Sequence, residues 1–409
     1  MFYLNASVIY FYINEYFHYI CLNIEYYDNL YALVIDLYTK KLQNMFKKTS
    51  LLLMVVMLVS ATAFSQVHRA VKLDDYPFEK REIINIPNIL GYDVLKCDFH
   101  IHTSNSDGDV TAQTRVQEAW EEGLDAIAIT DHISHSKGQK EENQAYDRGI
   151  NDAVKKGIIL IKGGEITFDL NPGPGHVNAL FLQDVNKLQS NDWKEALIEA
   201  KKQGAYIFWN HPGWAVDTIR WYDEQTEMLK NGMIHGIEIF NEFEYYPEAM
   251  NWCLEKNLTF LANTDVHKAI HRLYDFNKIK HRPMTLVLSK GNTEVAIKEA
   301  LFAGRTIMYA YNIIAGKEEF VKALFEASVN QSSPQTLDTN TTRFVFTNTS
   351  GIDFKLKNTN NNGLPETIMV PGQSSVNVIV KNENLQPTVF EVENALINGY
   401  DHLKVTIFQ

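Results

Sequence analysis

Eight short apolar runs separated by amphipathic stretches occupy residues 92 to 310 of this 409-residue chain, and they limit what it can fold into. The runs are "VLKCDFHI", "DAIAIT", "IILIKG", "HVNALFL", "AYIFWN", "GIEIF", "LTFLAN" and "MTLVL". Between them lie helical periods such as "TAQTRVQEAWEEGL" and "NTEVAIKEALFAG", each closing near a glycine suited to a helix C-cap. Strand and helix alternating seven or eight times predict an α/β domain with mainly parallel strands, closed as a TIM-like barrel with room for distortion. Beyond residue 330 the polar stretch "NQSSPQTLDTNTT" reads as a linker. The alternating segments "RFVFTN", "SSVNVIVK" and "HLKVTIF" then predict a small β-rich, sandwich-like domain over residues 331–409.

The N-terminus reads differently. From Met45, "MFKKTSLLLMVVMLVSATAFSQ" combines two lysines, an apolar core from Leu51 to Val59 and small residues before Gln66, the pattern of a signal peptide over residues 45–65 cleaved after Ser65. That core is short for a bilayer span, so no stable membrane insertion is expected once it is removed. Residues 1–44, rich in tyrosine and isoleucine, have no place ahead of such a segment and are expected to be an extension upstream of the true start. The expectation is a periplasmic or secreted protein whose main domain covers residues 66–330. Only Cys97 and Cys253 remain after Gln66, too few for a disulfide framework. A net charge of -12 excludes a general electrostatic grip on a nucleic-acid duplex or an anionic membrane. An anionic ligand must therefore be held locally, by metals or a few cationic side chains. Oligomeric state is not legible.

Ligand-type side chains recur where the apolar runs end: His100 and His102 in "CDFHIHTSNSDGD", Asp131 and His132 in "ITDHIS", Glu165 in "GGEIT", His211 in "WNHPGW", Asp265 and His267 in "NTDVH". His176 instead opens its run. In a barrel, strand ends converge on one face, so residues distant in sequence meet. A His-x-His pair in a strand puts both imidazoles on one face, and Asp265 with His267 repeats that spacing. Each piece alone has a plainer reading: a strand histidine bonded to a neighbour, a turn at "NHP", a surface carboxylate after two glycines. Six of the thirteen histidines and three carboxylates at such junctions in one domain together point to metal.

This ordered set resembles the PHP (polymerase and histidinol phosphatase) superfamily, whose succession of His-x-His, Asp-His, Glu, His, His and Asp-x-His is matched from Asp98 to His267. The resemblance implies a distorted (β/α)7 barrel and a metal-dependent phosphoesterase. It places His100, His102, Glu165 and Asp265 around one metal, with Glu165 bridging to a second held by His176 and His211. A third metal would take Asp107, His132 and His267, with Asp107 standing where some relatives have histidine. Asp98 and Asp131 are then expected to orient imidazoles. With its signal and β-rich tail the whole chain further resembles secreted bacterial phosphodiesterases of the Sb-PDE type.

Imidazole and carboxylate ligands without thiolate suit two or three divalent ions, zinc, manganese or iron. Such ions activate water and neutralise charge on a phosphoryl group, which lets an acidic protein handle an anionic ester. The expected partner is a small-molecule phosphate ester. Arg282 in "HRPMTLVL" is the expected phosphate-gripping cation, and with Asp107, His132 and His267 it makes the expected catalytic set. Glu238 and Asn241 lie near another run's end as further contacts, and Trp209 and Trp214 flank His211 as walls for an apolar leaving group. A phosphodiesterase is the leading expectation, ahead of a phosphomonoesterase of the histidinol-phosphatase type. A non-catalytic secreted binding protein leaves the ligand set unexplained.

Overall fold

The computed structural model describes residues 80–169, 174–360 and 362–408. The signal peptide over residues 45–65 and the 1–44 extension lie outside the described residues. Among the described residues no helix is long and apolar enough to cross a membrane.

The apolar runs form strands β1 (Asp93–Asp98), β2 (Ala126–Ile129), β3 (Ile159–Asp169), β4 (Pro174–Leu180), β5 (Tyr206–Trp209) and β6 (Gly236–Asn241). A short β7 (Glu244–Tyr245) precedes β8 (Thr259–Asn263), and β9 (Met284–Ser289), β10 (Thr306–Ala310) and β11 (Ile313–Gly316) follow. Strands β1, β2 and β3 run parallel, as do β5, β6 and β8. The ring closes where the chain beyond β1 meets the chain beyond β8: Ile101 bridges Val266 in parallel, the His102 N–H donates to Val266 O at 3.1 Å, and Asp265 N–H donates to His100 O at 2.9 Å.

Two strands depart from the repeated parallel unit. β4 is antiparallel to both β3, which runs for eleven residues, and β5. "MTLVL" is not a ring strand either: β9 lies antiparallel to β1 and starts a second leaf through β10 and β11. It meets β8 through a side chain, the Thr285 hydroxyl bonding Ala262 N and Ala262 O at 2.9 Å each. The mixed α/β fold holds, with this antiparallel interruption as its distortion.

The helix Ala112–Glu121 begins where the Thr111 hydroxyl accepts from Thr114 N–H and ends before Gly123, whose φ of +80° continues the turn without a Cβ penalty. Its companion Glu294–Phe302 is capped likewise by Thr293, ahead of Gly304.

The stretch read as a linker is part of the C-terminal domain. β12 (Val329–Gln331) and β13 (Gln335–Thr336) both pair with β14 (Thr341–Asn348), which also pairs with β17 (Ser374–Lys381). Polar side chains misled the reading, because edge strands satisfy their backbone through pairing and need few apolar residues. The second sheet joins β15 (Phe354–Asn358), β16 (Thr367–Val370), β18 (Thr388–Leu396) and β19 (His402–Ile407). Phe344 and Phe346 from one sheet and Phe390 from the other pack around Phe408. β18 also pairs in parallel with β11, so the sheet is continuous with the second leaf, and one apolar core runs from Val321 and Leu324 into Phe354.

Candidate metal centre

All nine sequence-nominated ligands converge at the ends of β1, β2, β5 and β8 and along β3 and β4. Glu165 is central and 1 % exposed, so "GGE" is no surface turn but the middle of β3. The glycines make room: a Cβ on Gly164 would lie 2.7 Å from the Ile133 side chain. Glu165 Oε1 lies 2.9 Å from His176 Nδ1 and 3.4 Å from His100 Nε2, and Oε2 lies 3.0 Å from His132 Nδ1 and 3.2 Å from His102 Nε2. Asp265 Oδ1 is 3.1 Å from Nε2 of both His100 and His102, and its Oδ2 is 3.6 Å from His211 Nε2. Asp107 stands at the open end, 3.3 Å from His267 Nε2, 3.5 Å from His132 Nε2 and 3.4 Å from His102 Nδ1. His211 thus groups with His100 and Asp265, while His176 groups with His132 and Glu165. His211 Nε2 also lies 3.6 Å from Glu165 Oε1, the oxygen that His176 Nδ1 meets at 2.9 Å.

This donor set fits cations. Glu165 Oε2 and Asp265 Oδ1 are buried oxygens that accept no hydrogen bond, a costly state without positive charge nearby. His100 Nε2 and His102 Nε2 approach to 3.2 Å, and donors bound at about 2.0 Å around one tetrahedral ion sit about 3.3 Å apart. Burial alone would raise the Glu165 and Asp265 carboxyls, yet the imidazoles hold both well below the usual range. Burial would lower His100 and His102, yet carboxylates around them, chiefly Asp265 and Glu238 for His100 and Asp107 and Asp265 for His102, raise both well above theirs. The centre therefore demands positive charge.

Backbone geometry supports the same conclusion. Asp265 and His211 hold φ of +52° and +25°, unfavourable for side chains with a Cβ and characteristic of strain retained at functional sites. Gly108, beside Asp107, has no room for a Cβ, which would lie 2.7 Å from the His102 carbonyl carbon.

Several residues that shape the site were not singled out by sequence, or were given another role. Glu238 is fully buried and takes the His100 Nδ1–H at 2.9 Å, leaving Nε2 to face the centre. It also accepts from Asn263 Nδ2, Asn241 Nδ2 and His211 N, each at 2.8 Å, so Glu238 and Asn241 are positioning residues and not substrate contacts. Asn210 Nδ2 donates to Glu165 Oε1 at 2.7 Å. Arg115, buried in a helix, donates to the carbonyl oxygens of His102, Val266, His267 and Lys268 and so ties the loop after β1 to the loop after β8.

Three expectations need correction. Arg282 is 0 % exposed, its guanidinium held by Glu122 at 2.7 Å and Asp98 at 3.2 Å, so it cannot grip a substrate phosphate. Asp98 and Asp131 touch no imidazole: Asp98 accepts from Thr264 N and Oγ1, and Asp131 from Thr103 N and Oγ1 and from Ser106 Oγ, fixing the two loops that carry ligands. Trp209 is buried and stacked on Trp252, its side chain facing away from the centre as alternation along β5 requires. Trp214 is 49 % exposed, its ring 5.1 Å from that of His176 and 5.5 Å from that of His211.

Beside the centre opens a cavity of about 480 Å³ lined by Asp107, His132, His135, Lys140, Thr167 and His176 among others. Lys140 is the lysine of that lining, anchored by Glu142 at 3.2 Å and the His132 carbonyl at 3.3 Å.

Comparisons with known proteins agree with this geometry. The PHP domain model matches residues 98–239, and an Ig-like domain model matches residues 328–408. A crystal structure of a two-domain protein containing a predicted PHP-like metal-dependent phosphoesterase from Bacteroides vulgatus is 39% identical, covering 81% of this chain and 99% of that one, with a TM-score of 0.76. The chain belongs to the PHP-like metal-dependent phosphoesterases. Smaller overlaps occur with a structure assigned as a metal-dependent phosphoesterase from Bifidobacterium adolescentis (16% identity, TM-score 0.36) and with an amidohydrolase from Chromobacterium violaceum (14%, 0.35). Each covers 42% of this chain and 87% of its own. No curated protein matches the sequence.

Proposed function

We propose that this metal-dependent phosphoesterase is a phosphodiesterase acting on small organic diesters, exported under the direction of residues 45–65. The observation that carries the choice is the poverty of fixed cations around the cavity: Arg282 is buried and paired, and among the described residues lining the cavity Lys140 alone joins the histidines. A diester carries one negative charge, while a terminal monoester carries about two near neutral pH and rewards further cations. Trp214 at the rim offers an apolar face to one organic arm.

Two or three divalent ions, of zinc, manganese or iron, held by His100, His102, Asp107, His132, Glu165, His176, His211, Asp265 and His267 supply water activation and charge neutralisation when bound. The chain's own groups do the rest. Lys140 has one N–H beyond the two it uses on Glu142 and the His132 carbonyl, and it directs that donor at a phosphoryl oxygen. The His267 Nδ1–H donates to Asp265 O at 2.8 Å, which fixes the tautomer and leaves the Nε2 lone pair facing Asp107, 3.3 Å away, where the two would hold an ion together at the open end.

The test is the ratio of kcat/KM for bis(4-nitrophenyl) phosphate to that for 4-nitrophenyl phosphate in the metal-loaded protein. The diester is expected to lead. A monoester preference of about tenfold, roughly 1.4 kcal/mol at the transition state, replaces this reading with phosphomonoesterase action. N-terminal sequencing of protein recovered from the host envelope tests export, with Gln66 as the expected first residue.

A further inference from the structure

The Ig-like domain reaches the metal centre through a short chain of contacts. Its β18–β19 hairpin, residues 397–401, lies on the helix Pro247–Lys256: Gly399 N–H donates to Asn251 Oδ1 at 3.0 Å, and the Tyr400 hydroxyl bonds Glu248. The fit at Gly399 is tight, since a Cβ there would lie 2.5 Å from Pro247 O. From the other side, the Tyr245 hydroxyl donates to Gly399 O at 3.2 Å. The next residue, Tyr246, is buried, anchored by its N–H to Ile239 O and its hydroxyl to Glu244. Its ring lies against Gly213, where a Cβ would come within 2.5 Å of Tyr246 Cε1. Gly213 sits between His211, the strained ligand, and Trp214, whose N–H bonds the His211 carbonyl at 2.9 Å.

We propose that the Ig-like domain is a positioning element for the metal centre: its hairpin seats Tyr245 and Tyr246, and the Tyr246 ring holds the loop at Gly213 so that His211 keeps its ligand geometry and Trp214 its place at the rim. The His211 backbone is already at an unfavourable φ, so a ligand there persists only while its surroundings hold it. Two packing contacts with no space for one added carbon, at Gly399 and at Gly213, transmit any movement of the hairpin. This assignment rests on the metal-centre reading, and deepens it by giving the second domain a role in the same site.

Deleting the domain is no test, because its phenylalanines share a core with the helix Glu318–Ser328. Point variants of the full chain are required: Gly399→Ala, Tyr246→Ala and the gentler Tyr245→Phe, with Ile379→Ala, exposed on the same domain but far along β17, as control. Mn2+ titration of chelator-treated protein is read beside KM and kcat on bis(4-nitrophenyl) phosphate, with melting temperature as a fold check. Gly399→Ala and Tyr246→Ala are expected to weaken one manganese equivalent about tenfold, the low end for losing a partner that orients a ligand, and to raise KM, while Ile379→Ala matches wild type. Should either fail to fold, Tyr245→Phe decides, with a smaller loss of the same equivalent. Wild-type manganese affinity in the folded variants overturns the proposal. A weakened equivalent in a protein that hydrolyses neither ester upholds it while removing the phosphodiesterase reading.

Discussion

Glu238 Oε1 lies 2.9 Å from His100 Nδ1 at a fully buried site, and the same carboxylate accepts from the backbone N–H of His211. One side chain on β6 thereby orients one ligand and the loop of another. Glu238→Gln keeps the size but turns an acceptor into a competing donor. It should reduce metal affinity by about 10- to 100-fold and lower turnover with it, read by metal titration and steady-state kinetics. Unchanged affinity would return Glu238 to an ordinary buried polar residue.

Arg115 is expected to matter for the fold and the centre together. Arg115→Met leaves Glu118 without its buried partner, takes the Arg115 donor from His102 O and Lys268 O, and removes one of two donors from Val266 O and His267 O. A loss of about 3–5 kcal/mol in urea unfolding is expected, together with weaker metal retention in whatever remains folded. A loss below about 1 kcal/mol, the scale of an exposed ion pair, contradicts the assignment.

Arg282→Ala separates structure from substrate binding. Asp98 is buried and Glu122 partly so, and desolvation already raises their carboxyls against the pull of Arg282. Removing the guanidinium should lower the melting temperature sharply. A stable Arg282→Ala protein whose only defect is a raised KM would restore the phosphate-gripping role.

Acid should destabilise the protein through two histidines outside the centre. Burial first, then a nearby lysine in each case, holds His235 and His281 down to about 4. His235 Nδ1 also accepts the Ile207 N–H, which a proton there would displace. Because the folded values lie below the unfolded value of about 6.5, their contribution is fully present above that pH and is lost as pH falls toward 4, on the order of 2–3 kcal/mol each. Urea midpoints between pH 7 and 4.5 should fall, and less steeply in His235→Gln. Equal slopes in both proteins contradict this.

Much of the centre was legible because metal ligation is written in residue types at strand ends. His100, His102, Asp265 and His267 advertise themselves by a spacing of two, and all nine nominated side chains meet. What escaped reading depends on partners distant in sequence. An apolar run such as "HVNALFL" is buried on both faces whichever way it runs, so the reversal of β4 left no trace in its pattern. Arg282 and Arg115 look like any basic residue until Asp98, Glu122 and the carbonyls after β8 are placed against them. Trp209 and Trp214 flank the same histidine, and only the strand's alternation sends one to the core and leaves the other at the rim.

These nine side chains are expected to bind the ions that hydrolyse a phosphate ester. The most direct measurement is the hydrolysis rate of bis(4-nitrophenyl) phosphate by the full protein as its metal content is followed through exhaustive chelation and back-titration with manganese, zinc or iron. The rate is expected to fall to background with the metal, return in proportion to the two or three ions restored, and stay at background in His100→Ala under the same titration. A rate that persists after metal content reaches zero, or that returns equally in His100→Ala, contradicts the account.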